Sequence, residues 1–224
     1  MKLYDLSHKM YDGLTTHPSH PRVIINNFVT HGFSAPRYQP PCKGFATKQL
    51  LISDHADTHV DAPLHFYEEG QTIEKEPLEK YYGPAVLIDL AEKTLRQPVD
   101  LPMVQAALKR DQLEIRPGDI VLIRAWSGEW SDPEFHHAGA LSIDAARWLT
   151  EAGMKAVGID LGNIEDNPDM TRQVHMYLLG KEIPIYENLA NLDTLPAKRF
   201  IFAGFPLSLE GCTGSPVRAV AFVD

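Results

Sequence analysis

An α/β fold with a mixed sheet and few helices is the architecture this sequence predicts, on three observations. Apolar, β-branched segments bounded by turn residues recur along the chain, and they outnumber the segments with helical periodicity. The helical segments fall between strands, so some strand pairs are parallel, while the surplus strands require antiparallel pairs as well. No internal repeat or low-complexity linker interrupts the 224 residues, a length that suits a single domain over 1–224 with a sizeable core.

Taken in order, Met1 to Leu6 is a short strand, and Asp12 to Pro21 is turn-rich through Gly13, Pro18 and Pro21. Arg22 to Val29 reads as a strand from its Val, Ile and Phe content. Gly32 to Gly44, with Pro36, Pro40 and Pro41, is a loop, and Phe45 to Ile52 is a strand delivering the segment that follows. Glu68 to Lys80 is charged and reads as a surface excursion whose acidic residues are solvated. Ala85 to Leu90 is an apolar strand. Asp100 caps a helix over Leu101 to Arg110, with Pro102 tolerated in its first turn and Val104, Ala107 and Leu108 as its buried stripe.

Pro117-Gly118-Asp119 is a turn into a strand over Ile120 to Arg124, and Trp126 and Trp130 follow in a loop. Ser142 caps a second helix that carries Ala145, Trp148, Leu149 and Ala152 and stops at Gly153. Lys155 to Asp160 is a buried strand. Met170 to Leu179 reads as a helix with Met170, Val174, Tyr177 and Leu178 on one face and His175 at its edge. Ile183 to Tyr186 is a short strand with Glu187 right after it. Arg199 to Ala203 and Val217 to Val223 are the last strands, joined by a loop over Phe205 to Pro216.

Composition excludes several functions. A formal charge of −9 with no basic face argues against nucleic acid as a partner. No apolar run approaches the roughly 20 residues of a membrane span, so no membrane partner is expected. The start of the chain lacks a basic-then-apolar leader, which makes the cytoplasm the expected location. Cys42 and Cys212 read as two reduced thiols.

The chemistry concentrates in Ser53 to Phe66, where His55, His59 and His65 stand with Asp57 and Asp61. His55 and His59 are spaced by about one helical turn. Pro63 prevents a helix from continuing, so the segment reads as a turn leading into a loop. His55, His59, Asp61 and His65 can then be aimed at one point. A mixed nitrogen and oxygen set suits zinc or manganese better than calcium or an iron–sulfur cluster. The alternative is a histidine-rich surface loop or a set of core histidines, but packing alone seldom clusters these types at ligand spacing. His17 lies in the turn-rich loop near the start and could approach the site from outside. Trp126, with Trp130, could wall an aromatic substrate pocket.

The run from His55 to His65 resembles the signature His-x-Gly-Thr-His-x-Asp-x-Pro-x-His of the cyclase-like metal-dependent hydrolases, a family that includes bacterial kynurenine formamidase and isatin hydrolase. Asp5-Leu6-Ser7, Val157-Gly158-Ile159-Asp160, His175 with Leu178-Leu179, Glu187-Asn188-Leu189 and Gly214-Ser215-Pro216-Val217-Arg218 are similar to further family landmarks in the same order. The resemblance implies a swivelling β/β/α domain. It also implies that His55, His59, Asp61, His175 and Glu187 are metal ligands for one or two zinc or manganese ions, Asp61 bridging, and that His65 is the acid and base. Phe66, Trp126 and His17 are then the residues to contact a small-molecule substrate, and a homodimer or higher homo-oligomer is expected.

The activity so implied is hydrolysis of a carbon–nitrogen bond in an aryl formamide, as in the N-formylkynurenine of tryptophan catabolism. A cyclic amide, imide or lactone of the isatin type is the alternative substrate, and a catalytically silent metal-binding relative is the third reading. Bound divalent ions lower the pKa of water from about 16 to near 7, which is what such a hydrolysis needs. Two departures from the family pattern bear on substrate. Asp57 replaces the signature glycine and adds a carboxylate beside the metal segment. His17-Pro18-Ser19-His20 stands where formamidases of this type show Trp-Pro-Gly-Asp, replacing an aromatic wall by a polar one.

Overall fold

The computed structural model describes residues 1–165, 168 and 170–224. Its strands are β1 (Lys2–Asp5), β2 (Ile24–Val29), β3 (Thr47–Leu51), β4 (His59–Asp61), β5 (Tyr82–Asp89), β6 (Ile120–Arg124), β7 (Ala156–Ile159), β8 (Ile185–Glu187), β9 (Arg199–Ala203), β10 (Gly214–Pro216) and β11 (Val220–Val223). Its helices are the single turn α1 (His31–Ser34), then α2 (Leu101–Arg110), α3 (Ile143–Glu151) and α4 (Gln173–Leu179).

Among the described residues, nine strands form one mixed sheet in the order β1-β11-β9-β5-β6-β7-β8-β4-β10. The pairs β5/β6, β6/β7 and β7/β8 are parallel, linked by crossovers through α2, α3 and α4, and every other pair is antiparallel. The α2 cap is as expected, with the Asp100 carboxylate accepting from the Met103 amide at 2.9 Å; such a cap contributes about 1 kcal/mol.

The sheet must curl. β10 and β11 lie seven positions apart in the sheet, which would be roughly 34 Å if flat at about 4.8 Å per strand. Only four residue steps, at most about 14 Å of chain, connect Pro216 to Val220. The curl is sealed where Ser7, just past β1, bridges Leu189, just past β8. Each face of the sheet therefore has its own core. The outer face carries Val86, Ile88, Val121, Ile123, Val157 and Ile159 against the helices. The inner face closes on itself around Leu6, Val60, Leu122, Tyr186, Phe202 and Ala221.

Several expectations are corrected. Residues 59–61 are a buried strand where a loop was expected, because pairing on both sides satisfies the backbone. The loop over Phe205 to Pro216 ends in a further strand, β10. The first two strand segments are present, but β2 pairs only with β3 in a separate and largely exposed ribbon. α1 and a 3-10 turn at Ala35–Arg37 occupy part of the loop expected at 32–44. The charged excursion at 68–80 is not wholly solvated, since Glu76 is buried with Lys80 Nζ 2.6 Å from its carboxylate, and Ile73 lies in the inner core. α4 begins at Gln173, leaving Met170 exposed and turning His175 into the buried face. No helix among the described residues is long and apolar enough to cross a membrane.

Candidate metal centre

Strand alternation along β4 sends Val60 into the inner core and turns His59 and Asp61 to the opposite face. Antiparallel register with β8 sets His59 opposite Glu187, so two residues far apart in sequence become cross-strand neighbours. On the other side, β10 places Gly214 opposite Asp61. Glycine is required there by a close approach, because a Cβ would meet His55 Cε1 at 2.7 Å. His175 enters from α4, and His65 from a 3-10 turn over Pro63–His65.

These elements bring the six principal sequence candidates into one cluster. His59 Nε2 lies 3.3 Å from Asp61 Oδ1 and 3.6 Å from Glu187 Oε2. His175 Nε2 lies 3.3 Å from Glu187 Oε1 and 3.7 Å from Asp61 Oδ2. His55 Nδ1 is 2.8 Å from Asp61 Oδ1, and the rings of His55 and His65 are 4.0 Å apart. Among the described residues, two groups have ligand atoms within 4.8 Å of one another: His55, Asp61 and His65, and His59, Asp61 and Glu187. Asp61 belongs to both. His55, His59, Asp61, His175 and Glu187 are all buried.

The donor set fits a divalent ion. Asp61 Oδ2 is buried and has no hydrogen-bond partner, a costly state for a carboxylate oxygen unless a cation faces it. His59 Nδ1 donates to the Asp57 carbonyl at 2.8 Å, which fixes the tautomer and leaves Nε2 toward the carboxylates. His175 is oriented in the same way, with Nδ1 held by Glu165 Oε1 at 2.5 Å. The second oxygen of Glu165 accepts the Val174 amide at 2.8 Å. Glu187 Oε1 accepts the Ile164 amide at 2.7 Å. His55 differs from the other two, since Nδ1 meets Asp61 and Nε2 meets Thr213 Oγ1 at 2.7 Å, which Asp54 holds in turn.

Electrostatics follow from burial and close charge. Burial opposes ionisation of Asp61, but the charges and hydrogen bonds of His55 and His59 outweigh it and hold its pKa well below the ordinary value. Burial also opposes protonation of His59 and His175. For His59 the hydrogen bond and charge of Asp61 prevail, and for His175 the bonds to Glu165 and Glu187, lifting each pKa to about 9. For His65 burial outweighs the charge of Asp61 and lowers its pKa to about 4, which leaves a neutral imidazole at pH 7.

The remaining candidates divide. A cavity of about 180 Å³ over the cluster is lined by His17, His20, His65, Phe66 and Arg172 among others, and the Phe66 ring lies 4.7 Å from that of His175. Trp126 does not line it: the loop after β6 carries Trp126 to a neighbouring cavity of about 400 Å³ with His8, Trp130 and Asp160. Asp57 is in neither ligand group; it lines a third cavity with Asp5 and Lys9, and its carbonyl serves His59. Thr58, next to His59, donates to the Asn188 carbonyl at 2.6 Å. Glu165 and Thr213 were missed, and no local spacing marks either of them.

A curled mixed sheet that buries three histidines and Glu187 around a shared aspartate, together with the relatives named below, defines a metal-dependent hydrolase. The family follows from comparison with known proteins: residues 4–166 match the family described as putative cyclase, and the chain belongs to it. Kynurenine formamidase of Maricaulis maris is 26% identical over 224 residues, covering 98% of this chain and 97% of its own. Kynurenine formamidase of Salinibacter ruber is 31% identical over 172 residues, covering 76% and 77%. Among solved structures, isatin hydrolase A from Labrenzia aggregata, bound to benzyl benzoate, superposes with a TM-score of 0.83 at 22% identity, over 99% of this chain and 93% of that one. A predicted metal-dependent hydrolase from Bacillus stearothermophilus gives 0.73 at 27% identity, over 98% and 97%.

Proposed function

We propose that this chain, acting as a single domain over 1–224, hydrolyses the carbon–nitrogen bond of an aryl formamide or related amide, N-formylkynurenine being the first compound to try. The observation that carries the reading is Asp61, shared by two ligand groups and leaving one buried oxygen without a hydrogen bond. In this reading His55, His59, Asp61, His175 and Glu187 hold one or two zinc or manganese ions. When bound, the metal supplies Lewis acidity and a water of lowered pKa.

The protein's own residues do the rest. Phe66 and His17 border the cleft and orient the aryl group. His65, neutral at pH 7 and with its ring 4.0 Å from that of His55, takes a proton from the attacking water. The water oxygen bonds to the formyl carbon, the carbon–nitrogen bond breaks, and His65 returns the proton to the leaving nitrogen, giving an aryl amine and formic acid, which releases its proton to become formate. Burial of the cleft keeps the imidazole in the form that can accept.

Likeness to the kynurenine formamidases extends the proposal to a place in tryptophan catabolism, a cytoplasmic location and a homodimer. A second reading, opening of a cyclic amide, imide or lactone, is favoured by the polar wall that His17, Ser19 and His20 give the cleft. Turnover by protein reconstituted with zinc or manganese tests both. Release of formate from N-formylkynurenine supports the first and ring opening of isatin the second, while hydrolysis of neither sinks the reading.

A further inference from the structure

We propose that Arg172 is a specificity-determining residue that receives a carboxylate on the substrate, whose acidic tail occupies a second chamber beside the metal cleft. The inference rests on the hydrolase reading above and names the class of amide: one that carries an anionic group away from the scissile bond.

The chamber is the first observation. A cavity of about 570 Å³ is lined by His17, Arg96, His136, His137 and Arg172, and its walls share His17 and Arg172 with the cleft over the metal cluster. The two cavities therefore adjoin at His17 and Arg172, which is where a tail leading away from the cluster would enter the second. The described residues lining this chamber include no carboxylate, although the chain as a whole carries a charge of −9. Arg96 and Arg172 are the fixed charges among these described residues, and a guanidinium suits an anionic ligand.

Arg172 itself is the second observation. Its Nη1 atom is buried and has no hydrogen-bond partner. A buried guanidinium donor left unmade is costly, and its natural complement is a carboxylate, which accepts two parallel N–H bonds. The backbone at Arg172 has φ 51° and ψ 43°, a left-handed conformation usually left to glycine or asparagine. Arg96, in contrast, is exposed and 3.7 Å from Glu134. Burial, followed by the neighbouring His20 and His136, holds the His17 pKa below its ordinary value, so that ring is neutral at pH 7. Arg172 is thus the permanent charge facing both chambers.

The test compares formanilide with formanilides bearing an ortho carboxyalkyl chain of increasing length, using metal-loaded wild type, Arg172→Gln and Arg172→Lys. Wild type should show a lower KM for at least one acidic member than for formanilide. Arg172→Gln should raise that KM by on the order of 10- to 100-fold, the range for a hydrogen bond to a charged group. Its metal content should not change, its kcat and its KM for formanilide should shift far less than the KM of the acidic member, and Arg172→Lys should recover part of the loss. Equal effects on acidic and neutral substrates, or no effect on either, overturn the proposal. If wild type hydrolyses none of them, the hydrolase reading has failed instead. Calorimetric binding of 3-(2-aminophenyl)propanoate, whose carboxylate stands on a two-carbon chain, then decides the role of Arg172: binding lost selectively in Arg172→Gln upholds it, and equal or absent binding to wild type and variant overturns it.

Discussion

Glu165 holds His175 in place: one carboxylate oxygen meets His175 Nδ1 at 2.5 Å while the other accepts the Val174 amide at 2.8 Å. The bond to Nδ1 directs Nε2 toward Glu187 and Asp61. A loop carboxylate thereby sets the aim of a helix-borne imidazole, and such an outer carboxylate would strengthen metal binding at the proposed ligand His175 without touching the metal.

Glu165→Gln should keep the fold and weaken metal binding by about 10- to 100-fold, the range for a lost carboxylate–histidine support. Competition against a chromophoric chelator measures it. Unchanged affinity would mean that His175 is held by packing alone.

Asp57→Gly should stabilise the protein. Asp57 has φ 62° and a buried Oδ1 without a hydrogen-bond partner. Glycine removes both costs, together about 1–2 kcal/mol. Burial raises the Asp57 pKa from 3.8 to about 6, so the native state binds more protons than the unfolded chain between these values. Wild type therefore loses stability as pH rises through that window, and the gain from glycine should be larger at pH 8 than at pH 4. Denaturant midpoints at the two pH values check the sign, and a destabilised variant at both would refute the account of this residue.

His65→Ala should retain its metal and lose roughly 10²- to 10⁴-fold in turnover, as expected for a residue that moves a proton. Loss of metal in this variant would make His65 a ligand, which its place in one of the two ligand groups would then explain.

What the sequence made legible follows physical lines. α2 and α3 were readable because Asp100 and Ser142 carry the caps locally, and β5, β6 and β7 because parallel strands covered on both faces are continuous apolar runs. β4 and β10 were not, since a strand of His-Val-Asp or Gly-Ser-Pro has little intrinsic preference and exists through its neighbours. The same division holds in the cluster. His55, His59, Asp61 and His65 stood out by local spacing, whereas His175 and Glu187 came only from family resemblance. Arrival of Glu187 opposite His59 is a matter of sheet register, which no local pattern records. Glu165 and the unpartnered nitrogen of Arg172 depend on tertiary contacts entirely.

Metal content per chain of wild type and Asp61→Ala, measured after purification without chelator and again after incubation with zinc or manganese, tests the central claim most directly. The account predicts one or two ions per wild-type chain and none on a folded Asp61→Ala. A wild-type protein that stays metal-free after reconstitution, or an Asp61→Ala variant that binds as much metal as wild type, would contradict it.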